Sequence, residues 1–221
     1  MDLGNSSRKQ GSMETLKNRL LHLLRKKSYH VRTNPPFTLA SGRKSPHYVD
    51  CKPTMHDPEG KALIGEIIFD LIKNEKIDAV GGLTMGADPI AIATSLISYQ
   101  KGQPIKSFSV RKDLKDHGTA KKIEGDIHPG EKVVIVDDVI TTGKSVIEAI
   151  KAVQNFGLII VKVIVLVDRE EGGEQEIKKY VSPVESVFKL TNLKEAETHE
   201  SHSTARTSSP PIRATHPTVR I

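Results

Sequence analysis

The pair Asp137-Asp138 stands directly after the apolar run VVIV at 133–136. Val139 and Ile140 follow, and then Thr141, Thr142, Gly143, Lys144 and Ser145. A continuous apolar run of this kind reads as a strand buried on both faces. In an open parallel sheet, ligands bind beyond the carboxyl ends of the strands. A helix opening just after the loop presents unpaired N–H groups and the positive end of its dipole, which suit a phosphate. Gly143 lets the backbone approach closely, and the hydroxyls of Thr141, Thr142 and Ser145 add donors. Two acids beside a phosphate repel it unless they meet hydroxyls or a cation. A ribose 5-phosphate with free 2- and 3-hydroxyls meets both conditions. The run is not a P-loop, because that motif needs glycine where Asp138 stands. It is not a dinucleotide fingerprint either, since the loop holds a single glycine. An ordinary strand-loop-helix would leave two acids at a buried strand end without a task, at a cost.

Other residues carry weaker signals. Arg111, Lys112, Lys115 and His117 place four potential cations within one short stretch. Alone they read as a solvated basic loop. Beside a phosphate nest they would oppose the charge that develops on a departing phosphate. Gly118 and Gly125 would let such a loop hinge and exclude water. Thr84, Met85 and Gly86 form a Gly-rich turn, which is either a tight strand-to-helix connection or a backbone N–H cradle for an anion. Arg169 follows a long apolar strand; it is either a surface residue or a partner for a carboxylate. The histidines, His22, His30, His47 and His56 among them, have no metal-ligand spacing.

The elements that must hold these residues alternate. The spacing of Leu16, Leu20, Leu23 and Leu24 predicts a helix over 13–27. Residues 37–50 read as a turn-rich extended segment after Pro35-Pro36. Asp57-Pro58 opens a second helix with an apolar stripe of Leu63, Ile64, Ile67, Ile68, Leu71 and Ile72. A strand is expected near Ala79-Val80, a helix from Pro89, a strand over 105–110 and a polar stretch over 111–126. A helix follows the phosphate loop from about Ser145 to Phe156, with Gly157 as its stop. Residues 159–167 form another buried strand. This order implies an α/β fold with a parallel sheet covered on both faces. Residues 1–12 and 196–221 are polar and are expected to be disordered.

The bulk numbers exclude several classes. The 221 residues suit one core with tails, and 37% apolar with 27% charged residues is ordinary for a globular enzyme. With no tryptophan and 4% aromatics, a stacking platform for single-stranded nucleic acid is unsupported. The net charge of +6 sits in residues 1–33, which hold eight basic and two acidic side chains. A solvated helix face explains that excess, and no nucleic-acid partner is expected. The single cysteine, Cys51, forms no internal disulfide and fits a small core position. No run has the length of a membrane span and no signal-peptide layout is present, so the expected location is the cytoplasm.

The run VVIVDDVITTGKS resembles the signature of the type I phosphoribosyltransferases that binds phosphoribosyl pyrophosphate (PRPP). Three further segments are similar to those of the orotate phosphoribosyltransferases, in that family's order. FTLASGRKSPHYVD at 37–50 resembles their N-terminal segment, AVGGLTMGADPIA at 79–91 their pyrophosphate loop, and RKDLKDHGTAKKIEG at 111–125 their mobile catalytic loop. VDR at 167–169 ends a strand where the family places an orotate-binding arginine. The resemblance covers roughly 35–190. It implies the type I phosphoribosyltransferase fold with a small N-terminal hood, and a phosphoribosyltransferase domain over 13–195. It assigns catalysis to Lys115, His117, Asp137 and Asp138. PRPP falls to those four residues with Arg111, Lys112 and the loop from Val139 through Ile140, Thr141, Thr142, Gly143 and Lys144 to Ser145. Pyrophosphate falls to Thr84, Met85 and Gly86, with that family's strained peptide near Thr84-Met85. Orotate falls to Thr141 and Arg169. It further implies Mg²⁺, carried mostly by PRPP oxygens and water rather than by a protein cage. The implied assembly is a homodimer whose catalytic loop acts in trans. Ala40 and Gly86 depart from relatives that carry lysine there. A purine phosphoribosyltransferase and a PRPP-sensing regulatory protein are the competing readings.

Overall fold

The computed structural model describes residues 3–39, 42–112 and 122–195. Ala40, Lys115, His117 and the tail over 196–221 therefore lie outside the described residues. Helix α1 (Leu3–Lys27) leads into a hood of short strands, β1 (Tyr29–Val31), β2 (Phe37–Thr38), β3 (Lys44–Ser45) and β4 (His47–Val49). β1 pairs antiparallel with β4, and β2 with β3. Helices α2 (Lys52–His56) and α3 (Pro58–Ile72) follow. The rest alternates: β5 (Ala79–Leu83), α4 (Asp88–Gln100), β6 (Lys106–Val110), β7 (Ile123–Glu124), β8 (Lys132–Ile140), α5 (Lys144–Asn155) and β9 (Ile159–Asp168). It closes with α6 (Gly173–Lys178), β10 (Val184–Lys189) and α7 (Leu190–Glu195).

Six strands form the main sheet in the order β10-β9-β8-β5-β6-β7. All neighbours run parallel except β6 and the two-residue edge strand β7. The period-two geometry of β8 explains how one apolar run serves two faces. Val134 and Val136 join the core under α1, α3 and α4, while Val133 and Ile135 join the core under α5. Helix α3 starts where Asp57 accepts hydrogen bonds from the N–H groups of Glu59 and Gly60, both at 3.0 Å, which satisfies two orphan donors. Its predicted stripe is buried except for Leu71, which is half-buried. Helix α5 buries Val146, Ala149, Ile150 and Val153. It is stopped by Gly157 at φ 89°, as the sequence predicts.

Several features differ from the sequence reading. The first helix begins at Leu3 rather than Met13, so the helical backbone continues through residues expected to be disordered. Its periodic leucines mark only the part that packs. The basic excess of this region is partly paired: Arg19 meets Glu59 and Lys27 meets Asp57, each at 2.6 Å on the start of α3. Helices α2, α6 and α7 and strand β10 carry no periodic pattern long enough to read. Among the described residues no helix is long and apolar enough to cross a membrane.

Candidate active site

The sheet order reverses at β8 and β5, and this places a crevice at their carboxyl ends. β5 pairs with β8 only from Ala79↔Val133 to Gly81↔Ile135, whereas β8 continues along β9 as far as Ile140↔Asp168. The far end of β8 therefore stands clear of β5. A cavity of about 680 Å³ opens there. Its walls come from the end of β5 and the turn after it (Thr84, Met85, Gly86), from the end of β6 (Ser109, Arg111, Lys112) and from Asp137, Asp138 and Val139 on β8. A smaller cavity of about 270 Å³ adjoins it, lined by Thr141, Thr142, Gly143, Lys144 and Ser145. The two share Asp137, Val139 and Ser145. Such an arrangement can hold a phosphate at one end, a diol in the middle and a second anionic group at the other.

The two acids are adjacent, Asp137 buried and Asp138 half-buried. Asp137 is 6% exposed. Its carboxylate accepts the N–H of Asp138 at 3.0 Å, and the Asp138 carboxylate accepts the N–H of Val139 at 2.9 Å. Burial, then the neighbouring Asp138 charge, pushes the Asp137 carboxyl up to about 8. Burial also raises Asp138. Both effects disfavour two bare anions in one cavity. The carboxylates therefore gain from hydroxyl donors or a hard cation, the two partners a ribose–magnesium substrate would bring.

The Thr/Gly loop turns tightly into α5. Gly143 caps α5 with a left-handed φ of 80°, and a Cβ there would lie 3.0 Å from the Gly173 carbonyl oxygen. In the turn after β5, the Thr84–Met85 peptide is cis and Met85 is 68% exposed. Gly86 lies directly against the acids. A Cβ added to it would come within 2.6 Å of an Asp137 carboxylate oxygen and 2.7 Å of one on Asp138.

Arg111 and Lys112 reach the same cavity as the acids. The Arg111 N–H donates to the Lys122 carbonyl at 2.9 Å, and Lys122 Nζ donates to the Lys112 carbonyl at 2.5 Å. These bonds close the stem of the basic loop. Its remaining candidates, Lys115 and His117, lie outside the described residues. Of the two readings of Arg169, the surface residue is excluded. It is 5% exposed and is not among the described residues that line either cavity. Its backbone N–H donates to Ile140 at 3.0 Å, which sets it beside the start of the phosphate loop.

Sequence reasoning missed Lys52, Ser109 and Glu124 as cavity residues. Lys52 opens α2, next to Cys51, whose Sγ lies 3.9 Å from the Asp138 carbonyl oxygen. A hydrogen bond to Asp50 raises the Lys52 ammonium, and burial raises the Cys51 thiol well above its usual range. The available signal was Pro53, a first-turn proline marking a helix start.

The geometry has counterparts. Residues 54–198 match the phosphoribosyl transferase domain family. An orotate phosphoribosyltransferase of Aquifex aeolicus is 47% identical over 175 residues, covering 79% of this chain and 96% of that protein. One of Rhodopseudomonas palustris is 43% identical over 179 residues, covering 79% and 94%. The crystal structure of the Mycobacterium tuberculosis orotate phosphoribosyltransferase in complex with PRPP superposes with a TM-score of 0.67 at 36% identity, over 81% of this chain and 99% of the other. An adenine phosphoribosyltransferase from Leishmania tarentolae shares the fold at a TM-score of 0.55, with 16% identity. By its matched domain and by the length and identity of these alignments, the chain belongs to the orotate phosphoribosyltransferases of the phosphoribosyl transferase domain family.

Proposed function

We propose that this chain transfers ribose 5-phosphate from PRPP to orotate, giving orotidine 5′-phosphate and pyrophosphate in pyrimidine biosynthesis. The observation that carries the reading is Asp137, buried and shared by two adjoining cavities, with Asp138 beside it in the larger one and the Thr/Gly loop lining the smaller. Thr141, Thr142 and Ser145, with the backbone opening α5, hold the 5-phosphate. Asp137 and Asp138 accept from the ribose hydroxyls. The turn at Thr84, Met85 and Gly86, which abuts the acids at Gly86, receives pyrophosphate. Arg111 and Lys112, with Lys115 and His117 of the same loop, oppose the charge that grows on that leaving group. Thr141 and Arg169 bind orotate, the arginine through the base's carboxylate.

The donors fit Mg²⁺ in a limited way. Two carboxylates at the ribose position suit a hard cation that takes its other ligands from PRPP oxygens and water. When bound, Mg²⁺ supplies charge neutralisation to the pyrophosphate. Orotate is already anionic, so its ring nitrogen needs little activation. The protein's task is to position both substrates and stabilise charge.

A dimer with the catalytic loop acting in trans belongs to this reading. Ile92, Leu96 and Tyr99, 59%, 56% and 74% exposed, form an apolar stripe on α4, directly after the pyrophosphate turn, and offer a second copy a face.

The test is a spectrophotometric assay of orotate consumption. Loss of orotate should require both PRPP and Mg²⁺. Turnover of adenine, guanine or hypoxanthine with none of orotate would overturn the reading in favour of a purine enzyme.

A further inference from the structure

We propose that Glu171 is the positioning residue of the base end of this site: its buried carboxylate lies between Arg43 and Arg169 and holds the Arg169 guanidinium ready for a substrate carboxylate. The inference rests on the reading of Arg169 as the partner of orotate's carboxylate, and it adds the group that prepares that partner.

The geometry is a short chain of charges. Arg169 Nε lies 3.0 Å from Glu171 Oε1, with the two side chains 4% and 7% exposed. Glu171 Oε2 lies 2.9 Å from Arg43 Nη2, whose side chain is 60% exposed. Arg169 Nη2 also donates to the His47 carbonyl at 3.2 Å. Arg43 and His47 both belong to the hood, so the contacts fasten it to the end of β9.

A guanidinium this buried needs an anion, since an uncompensated buried charge is costly. Glu171 supplies it. One carboxylate shared by two arginines leaves the trio with one net positive charge, which matches a monoanionic carboxylate. The contact is also incompletely satisfied. Arg169 Nε and Glu171 Oε1 are buried and close, yet among the described residues neither has an aligned hydrogen-bond partner. Orphaned buried polar atoms in a native structure point to a role beyond packing.

The backbone is arranged for this. Glu170, between the two partners, has φ 59°, an uncommon left-handed conformation for a residue with a side chain. It is pinned from both sides. Its N–H donates to Asp168 at 2.8 Å, and its carboxylate accepts the Thr191 N–H at 3.0 Å. Such conformations gather where surrounding structure aims a neighbouring side chain. Here the turn brings the Glu171 carboxylate back onto Arg169.

Steady-state kinetics of Glu171→Gln, Glu171→Asp, Arg43→Gln and Arg169→Ala, with PRPP and orotate varied separately, test the proposal. Removing the charge in Glu171→Gln should raise the orotate KM roughly tenfold and leave the PRPP KM within about twofold, the size of one lost charge-assisted contact. Calorimetric affinity for orotidine 5′-phosphate should fall in parallel. Glu171→Asp, which keeps the charge, should recover part of the effect. Arg43→Gln, an exposed change that spares the fold, should raise the orotate KM about threefold and serves if Glu171→Gln does not fold. If Arg169→Ala raises the orotate KM while Glu171→Gln and Arg43→Gln do not, the proposal is overturned and the base-site reading stands. If Arg169→Ala has no effect either, the base-site reading fails as well. Equal losses for both substrates with a lowered melting temperature would mark Glu171 as structural and also overturn the proposal.

Discussion

Asp137 must serve a folded protein that resists its charge. Its carboxyl is raised from 3.8 to about 8 by burial and by Asp138, with Lys112 and Lys52 as the cations acting on the pair. The unfolded chain ionises near 3.8, so between there and about 8 the folded state binds the extra proton. Stability is therefore highest below the unfolded value and falls as pH rises through the folded one. The melting temperature of the ligand-free protein should drop across that window, and Asp137→Asn should flatten the drop. PRPP hydroxyls favour the ionised pair, so binding should release a proton. Calorimetry at neutral pH, in two buffers of different ionisation enthalpy, measures that release directly; zero release would contradict the role of the pair. The same Asp137→Asn change should weaken PRPP handling roughly tenfold or more, by loss of a charge-assisted acceptor.

Elements meet closely where β8 ends against the turn that follows β5. Gly86 fills a position in that turn where a Cβ would come within 2.6 and 2.7 Å of the two acids. Gly86→Ala should force the carboxylates or the turn aside, at a cost of ~1–3 kcal/mol typical of overpacking. The expected result is a PRPP KM raised roughly tenfold with the orotate KM little changed, since the proposed base end lies at Arg169, after β9 and on the far side of β8 from β5. An unchanged PRPP KM in Gly86→Ala would show that the acids do not face the ribose from this position.

At the scale of the whole molecule, the acids and the basic loop need not serve the same subunit. The loop's stem is closed by Arg111, Lys112 and Lys122 at the cavity mouth. Mixing Lys115→Ala/His117→Ala protein with Asp137→Asn/Asp138→Asn protein tests sharing. If loops act in trans, each mixed dimer has one site with both defects and one with neither, and should regain about half of a wild-type dimer's activity. No recovery after confirmed subunit exchange would assign the loop to its own subunit.

Local signals were legible because they are carried by neighbouring residues. The apolar run at 133–136 determined a doubly buried strand, Asp57-Pro58 a helix start and Gly157 a helix stop, and each is realised. The acid pair and Thr/Gly loop likewise read as a candidate phosphate and diol site, since strand end, loop and helix start are contiguous in the chain. What only tertiary structure decided depends on residues distant in sequence. Cys51 meets Asp138 across 87 positions and brings Lys52 to the cavity, and Arg169 meets His47 across 122. The burial of Arg169, the pairing of Glu171 with Arg43 and the approach of Gly86 to the acids all arise where separate segments converge. No periodicity or motif records them, because each partner's local sequence is satisfied without the other.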